Sequence, residues 1–175
     1  MAKTSKPNRE TKGLGSSQEL TDQAKVYAAR MRLQNTVDQA DALDAIREIA
    51  GNLIGTEEVA VFKVDQRRSE LWLYWSFGVD PNKHAVLDVR QEPRLQPALN
   101  GEAVFREHAN ERLLSTDDPA SALVPILVDG KASAVIVLFR LFPHKPGIEL
   151  IDRQICEVLS HCAGRAIEPY HQKQI

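Results

Sequence analysis

Cysteine, aromatic residues and long apolar runs are all scarce in this chain of 175 residues. It holds two cysteines, and aromatic residues make up 6% of it. Two cysteines cannot form a disulfide framework, and we expect a cytoplasmic protein in a reducing compartment. No apolar run reaches the roughly 18 residues of a membrane span, and we expect no signal peptide and no membrane partner. The net charge of −2 argues against a nucleic-acid-binding protein.

Motifs for catalysis are also missing. The sequence has no nucleophile motif, no phosphate-binding loop and no metal-ligand spacing, so we expect no catalytic residues, no metal and no cofactor. Cys156 and Cys162 are six positions apart. On a helix this separates them by about 240°, so they cannot face one another. Cys162 falls on an apolar helical stripe, and we expect it to be a small buried apolar residue.

The clearest structural signal is a pair of apolar runs, 122–128 and 132–139, joined by Asp129 and Gly130. Asp-Gly suits a two-residue hairpin turn, because both of its positions need positive φ. Neither run alternates between apolar and polar residues, which is typical of a strand covered on both faces. The pattern therefore predicts a central antiparallel hairpin with protein on both sides.

Helical patterns stand at both ends of the chain. We predict a disordered tail over 1–16, a helical arm over 17–38 and a helix with a strong apolar stripe over 43–54, which Asp41 could cap. The basic tail is either a solubilising segment, which we favour, or an arm that contacts an acidic partner or nucleic acid. The long arm is interpreted as a dimerisation element, with the alternative that it folds back on its own core. Together with the last helix, it gives these candidate dimer contacts: Leu20, Tyr27, Met31, Ile151, Ile155 and Val158.

The aromatic residues cluster in one predicted strand, 71–77. Strict alternation places Trp75 on one face and Trp72 with Tyr74 on the other. Such a set could stack on a planar ligand, but we expect it to be core, because large aromatic residues dominate ordinary cores.

Three segments together resemble the GAF domain family: LDAIREIAGNLIGTEEVAVFKVD (43–65), ALNGEAVF (98–105) and SALVPILVDGKASAVIVLF (121–139). The resemblance covers about residues 40–167. It implies an α+β fold, in which an antiparallel sheet carries the terminal helices on one face and pocket loops on the other. It also implies dimerisation through those helices. We accordingly assign 39–168 to a GAF-like domain and 169–175 to a C-terminal tail.

Family signatures for specific ligands are not found. No equivalent of the cyclic-nucleotide signature occurs, and no cysteine for a bilin lies before Cys156. The enzymatic branch, free methionine sulfoxide reductase, uses cysteines in the pocket loops, where this chain has none. The pocket loop 88–99 lacks glycine and has two prolines, which should stiffen it.

We therefore expect a non-catalytic regulatory or sensory module, a homodimer that binds a small molecule or a signalling protein. The alternative is an interaction module with a filled pocket and no ligand. Several polar residues could line a pocket mouth, although loop charges are usually solvated. Together with the two aromatic residues on one face of the strand 71–77, they give the candidate ligand-binding residues Trp72, Tyr74, His84, Asp88, Arg90, Arg94, Glu102 and His108.

Overall fold

A computed structural model describes residues 10–168 of the chain, with side chains from residue 17 onward. Its centre is a six-stranded antiparallel sheet with the order β3-β2-β1-β6-β5-β4. The strands are β1 Val59–Asp65, β2 Glu70–Phe77, β3 Val86–Asp88, β4 Val104–Phe105, β5 Ala122–Val128 and β6 Lys131–Leu138. The α-helices are α1 Glu10–Gln34, α2 Gln39–Ile49, α3 Leu95–Leu99 and α4 Leu150–Cys162. The predicted α+β architecture is confirmed.

The hairpin of β5 and β6 lies in the middle of the sheet, as predicted. Its turn residues Asp129 and Gly130 have φ values of 52° and 76°, the positive values that the Asp-Gly pair predicts. Strand β6 also pairs with β1, so it has a neighbour on each side. Apolar side chains cover both faces of these strands and form two separate cores, one under the helices and one under the loops.

The helical layer begins with two helices that meet at a break. Helix α2 is capped by Asp38, whose carboxylate accepts a hydrogen bond from the amide of Asp41 at 2.8 Å. The prediction that Asp41 caps this helix is therefore wrong by one turn, since Asp41 instead accepts a hydrogen bond from the amide of Val37 at 3.0 Å. A π-helical turn, Ala50–Ile54, continues α2 and ends at Gly55, which has the positive φ of a C-cap.

One face of helix α1 packs on α4 and on the core of the chain under the helices. Ala29 and Leu33 are almost fully buried there, whereas Leu20 and Tyr27 are more than 60% exposed on another face. The helix begins at Glu10, inside the stretch 1–16 expected to be a disordered tail. Residues 1–9 of that stretch, and the predicted tail 169–175, lie outside the described residues.

Helix α4 directs its apolar stripe into the chain's own core. Ile155 has no exposed surface, and Ile151 and Val158 are at most 8% exposed. These side chains form part of the core under the helices. Assigning Ile151 and Ile155 to a dimer surface is corrected accordingly, because a buried side chain has little area left for a second chain, whereas Val158 also lines a concave region between α1 and α4. No helix among the described residues is long and apolar enough to cross a membrane.

A β-bulge in β2 changes the faces of its aromatic residues. Val61 of β1 pairs with Trp75, but the next residue, Phe62, pairs with Leu73, so Tyr74 is an extra residue on β2. One extra residue reverses the facing of everything beyond it. Both tryptophans of the strand therefore lie on the helical face, which corrects the prediction that they lie on opposite faces.

Candidate functional site

The space between the sheet and the loops, where the resemblance places a ligand pocket, is filled. Helix α3 and the segment 106–121, together called the lid, cover this face of the sheet. Leu95, Leu113 and Leu114 of the lid pack against Phe62 and Phe139 of the sheet layer, and each of the five is at most 4% exposed. The side chains that occupy this space come from the chain itself.

Three carboxylates fasten the lid to the segment around β3. Glu92, which is 7% exposed, accepts hydrogen bonds from the amide of Ser115 at 2.9 Å and from its hydroxyl group. Glu111 pairs with Arg94, and Asp118 pairs with His84. Each contact joins residues at least 17 positions apart. The lid is therefore closed by polar contacts as well as by its leucines.

Glu111 is held in its charged form. The amide of Glu107 donates to it at 2.9 Å, and the Arg94 guanidinium lies against the same carboxylate. The backbone hydrogen bond is the larger cause, and together with the guanidinium it lowers the pKa of Glu111 below its ordinary value.

His84 is the most buried of the predicted ligand residues, at 2% exposed. Its Nε2 atom lies 2.6 Å from Oδ2 of Asp118, and its ring lies 5.0 Å from the ring of Phe139. Its Nδ1 atom is buried without a hydrogen-bond partner in the described part of the chain. Among the described residues, the polar contact of this imidazole is therefore the one between its Nε2 atom and Asp118.

The remaining predicted residues do not converge on one site. Trp72 and Tyr74 are 43% and 37% exposed on the helical face, beyond the reach of the helices, so neither forms part of the expected core. Asp88 and Arg90 pair with one another at the edge of the sheet, and Arg90 lowers the pKa of Asp88. Glu102 and His108 are exposed.

Four residues of the lid contacts lie outside the predicted set: Glu92, Glu111, Ser115 and Asp118. Glu111, Ser115 and Asp118 lie in the segment 106–121 between β4 and β5, and Glu92 lies in the loop between β3 and α3. In sequence, all four look like ordinary solvated loop residues. Their partners are 17–34 positions away, so no local pattern could have shown the pairing.

A second concave region, which we call the cleft, lies between the segments 106–109 and 140–148 and the first turns of α4. It has a volume of about 620 Å³ and is lined by Arg106, His108, Arg140, Lys145 and Arg153 among others. In the described residues no cluster of three or more metal-ligating side chains is present.

A third concave region, which we call the groove, runs between α1 and α4 and has a volume of about 650 Å³. Tyr27 and Val26 of α1 line it with Cys162 of α4. Arg30 and Glu157 contribute charges of opposite sign from the two helices.

The cysteines offer no reactive thiolate at the lid. Cys156 is fully buried on the core face of α4, and burial raises the pKa of its thiol to about 12. Cys162 is partly exposed at the groove, so the prediction that it is the buried cysteine is corrected. Cys156 fills that role instead.

Comparison with solved structures identifies the fold. The GAF domain of a phosphoenolpyruvate-protein phosphotransferase from Acinetobacter is 18% identical, with a TM-score of 0.60 over 86% of this chain and 98% of that one. A methyl-accepting chemotaxis protein fragment, residues 122 to 287, is 18% identical, with a TM-score of 0.56 over 79% and 94%. Free methionine-R-sulfoxide reductase from Neisseria meningitidis, in complex with its substrate, is 16% identical, with a TM-score of 0.57 over 83% and 89%.

The chain thus has a GAF-type fold, as the resemblance predicted. No protein-family model matches the sequence. A search of curated protein sequences finds no match either.

Proposed function

We propose that this chain is a non-catalytic, cytoplasmic regulatory module. It pairs with a second copy of itself through the groove between α1 and α4 and acts on a signalling protein. The observation that carries the proposal is the groove itself, where apolar side chains are exposed on a helix that already has a buried face. Tyr27 is 63% exposed at the groove, and Leu20, 66% exposed, lies two turns before it.

The charges of the groove favour a second copy as its occupant. A two-fold interface brings the same surface of each chain together, so that surface must be complementary to itself. Arg30 on α1 and Glu157 on α4 line opposite sides of the groove. Two-fold pairing across it would set Arg30 of each chain toward Glu157 of the other, around an apolar centre formed by Tyr27 and Val26.

The space beneath the lid is occupied, which favours a protein partner over a small-molecule ligand bound there. Leu95, Leu113 and Leu114 occupy the space where a ligand would lie. The thiols support a non-catalytic role, because Cys156 is buried with a raised pKa and is a poor nucleophile, and Cys162 lies at the groove away from the lid. Similar folds in a phosphotransfer protein and a chemotaxis protein support regulation as the setting.

Sedimentation velocity of Tyr27→Lys tests the proposal. We expect the unaltered protein to sediment at twice its chain mass of 19.5 kDa and the variant to sediment as a monomer. Lysine cannot fill the apolar centre, and it adds positive charge next to Arg30. Val37→Lys is the matched control, since Val37 is 73% exposed between α1 and α2 and outside the groove. A monomeric unaltered protein, or a dimer that Tyr27→Lys leaves intact, would refute the pairing.

A further inference from the structure

The cleft concentrates positive charge in a chain whose net charge is −2. Arg106, Arg140, Lys145 and Arg153 line it, and Glu107 is the one carboxylate among its lining residues. Its volume of about 620 Å³ is that of a site for a small molecule. The cleft lies at the N-terminal end of α4, outside the core that the lid covers.

Two of these cations are already neutralised. Arg153 pairs with Glu107 at 2.9 Å, and Lys145 pairs with the buried Asp152 at 2.7 Å. Arg106 and Arg140 make no ion pair with a carboxylate in the described residues. The cleft therefore retains two guanidinium groups that no carboxylate in residues 17–168 approaches to ion-pair distance.

The backbone holds both arginines in place. The amide of Arg106 donates to the carbonyl of Ser121 at 2.9 Å, next to the start of β5. The carbonyl of Arg140 accepts from the hydroxyl of Thr56 at 2.6 Å, just past the end of β6. Because both attachments lie next to ends of strands, the main chain at the two arginines is fixed, and their side chains extend from it toward the cleft. Pro119, Pro143 and Pro146 stiffen the walls between them.

The start of α4 already uses part of its donor capacity within the chain. The carboxylates of Glu149 and Asp152 form a capping box that occupies the amides of these two residues. A capping box satisfies the donors that an anion would otherwise use. Recognition in the cleft therefore depends on the arginine side chains.

From this geometry we infer that the cleft binds a small anion with more than one phosphate or carboxylate group. Each guanidinium can hold one such group through two parallel hydrogen bonds, which makes arginine well suited to both chemistries. The two arginines come from segments 34 positions apart in sequence, so they meet only in the folded chain. This site is independent of the groove and of the proposed dimer.

Isothermal titration calorimetry with two probes tests the site and distinguishes its chemistries. Inorganic pyrophosphate carries two phosphate groups, and citrate carries three carboxylates. We expect saturable binding of at least one probe and a loss of about tenfold or more in affinity for the Arg106→Gln, Arg140→Gln double variant, since each substitution removes a charged hydrogen-bonding group. Tighter binding of pyrophosphate would identify a phosphate site, and tighter binding of citrate a carboxylate site.

Arg67→Gln is the control for each of the two substitutions, because it makes the same Arg-to-Gln change in the exposed turn between β1 and β2. We expect its affinity to stay within about twofold of the unaltered protein, as surface charges beyond a Debye length are screened. Amide shifts on titration should be confined to segments 106–109 and 140–148 in the NMR spectrum. No saturable binding of either probe, or an equal loss in Arg67→Gln, would overturn the inference.

Discussion

The Nε2 atom of His84 and the Oδ2 atom of Asp118 lie 2.6 Å apart, although 34 positions separate the two residues in sequence. This contact ties the segment before β3 to the lid just before β5. The imidazole is 2% exposed, and its other nitrogen has no partner among the described residues. Removing the carboxylate would leave a buried ring with no polar contact.

Asp118→Ala should therefore destabilise the fold by about 1–3 kcal/mol, the cost of an unsatisfied buried polar group. Urea unfolding followed by circular dichroism measures this loss. Asp117→Ala is the control, because Asp117 is the neighbouring carboxylate and is exposed. We expect the control to change stability by less than about 0.5 kcal/mol. Equal effects of the two variants would contradict a structural role for the histidine contact.

The leucines of the lid should contribute to stability as core residues do. Leu113 is 2% exposed, and Leu113→Ala is expected to cost about 2–5 kcal/mol because it leaves a cavity under the lid. Leu150→Ala should cost less than about 0.5 kcal/mol, since Leu150 is 73% exposed on α4. The same unfolding experiment measures both variants. An unchanged midpoint for Leu113→Ala would show that the lid is not packed as described.

Arg32 should make stability depend on pH. It donates to both Asp41 and Glu48 at 2.8 Å, and these hydrogen bonds lower the pKa of each carboxyl below its ordinary value. A carboxyl with a lowered folded-state pKa stabilises the fold above its unfolded value, and the contribution is lost as pH falls through the folded value. The difference in thermal midpoint between the unaltered protein and Arg32→Gln should thus be largest at neutral pH and shrink below about pH 4.

Thermal denaturation of both proteins at neutral and acid pH checks this dependence. Arg67→Gln serves again as the control, because Arg67 is exposed and should give a small difference at every pH. A difference for Arg32→Gln that grows as pH falls would have the wrong sign and would contradict the pairing.

The two thiols should differ in their reaction with an aromatic disulfide reagent. Cys156 is fully buried and burial raises the pKa of its thiol, so at neutral pH it stays protonated, whereas Cys162 is partly exposed. We expect one thiol per chain to react in the native protein and two after denaturation. Cys162→Ser should abolish the native reaction. A rapid reaction in that variant would show that Cys156 is accessible.

The central part of the fold could be predicted because local signals agreed there. Asp129 and Gly130 have few alternatives to a tight turn, and the flanking runs are too apolar for a surface strand. The faces of β2 could not be predicted, because a single bulge at Tyr74 shifts the alternation and no local residue type announces it. The helices cover mainly the central strands, which leaves Trp72 exposed near the sheet edge.

The candidate site was harder to predict than the fold for a different reason. A charged loop residue looks the same in sequence whether it is solvated or paired across the fold. His84 was singled out, but its partner Asp118 was not, since only the closed lid brings them together. Ile155 shows the opposite error, because an apolar stripe indicates burial without saying whether its own core or another chain covers it.

The leucines that fill the space beneath the lid also set a condition on any molecule that would bind there. Such a molecule would meet the chain only in conformations where Leu113 and Leu114 have moved aside. Its apparent dissociation constant would be the intrinsic value divided by the population of those conformations. If the open form made up about 1% of the molecules, binding would be weakened about a hundredfold. Affinity beneath the lid would thus be governed by how often the lid opens as much as by the contacts the molecule makes.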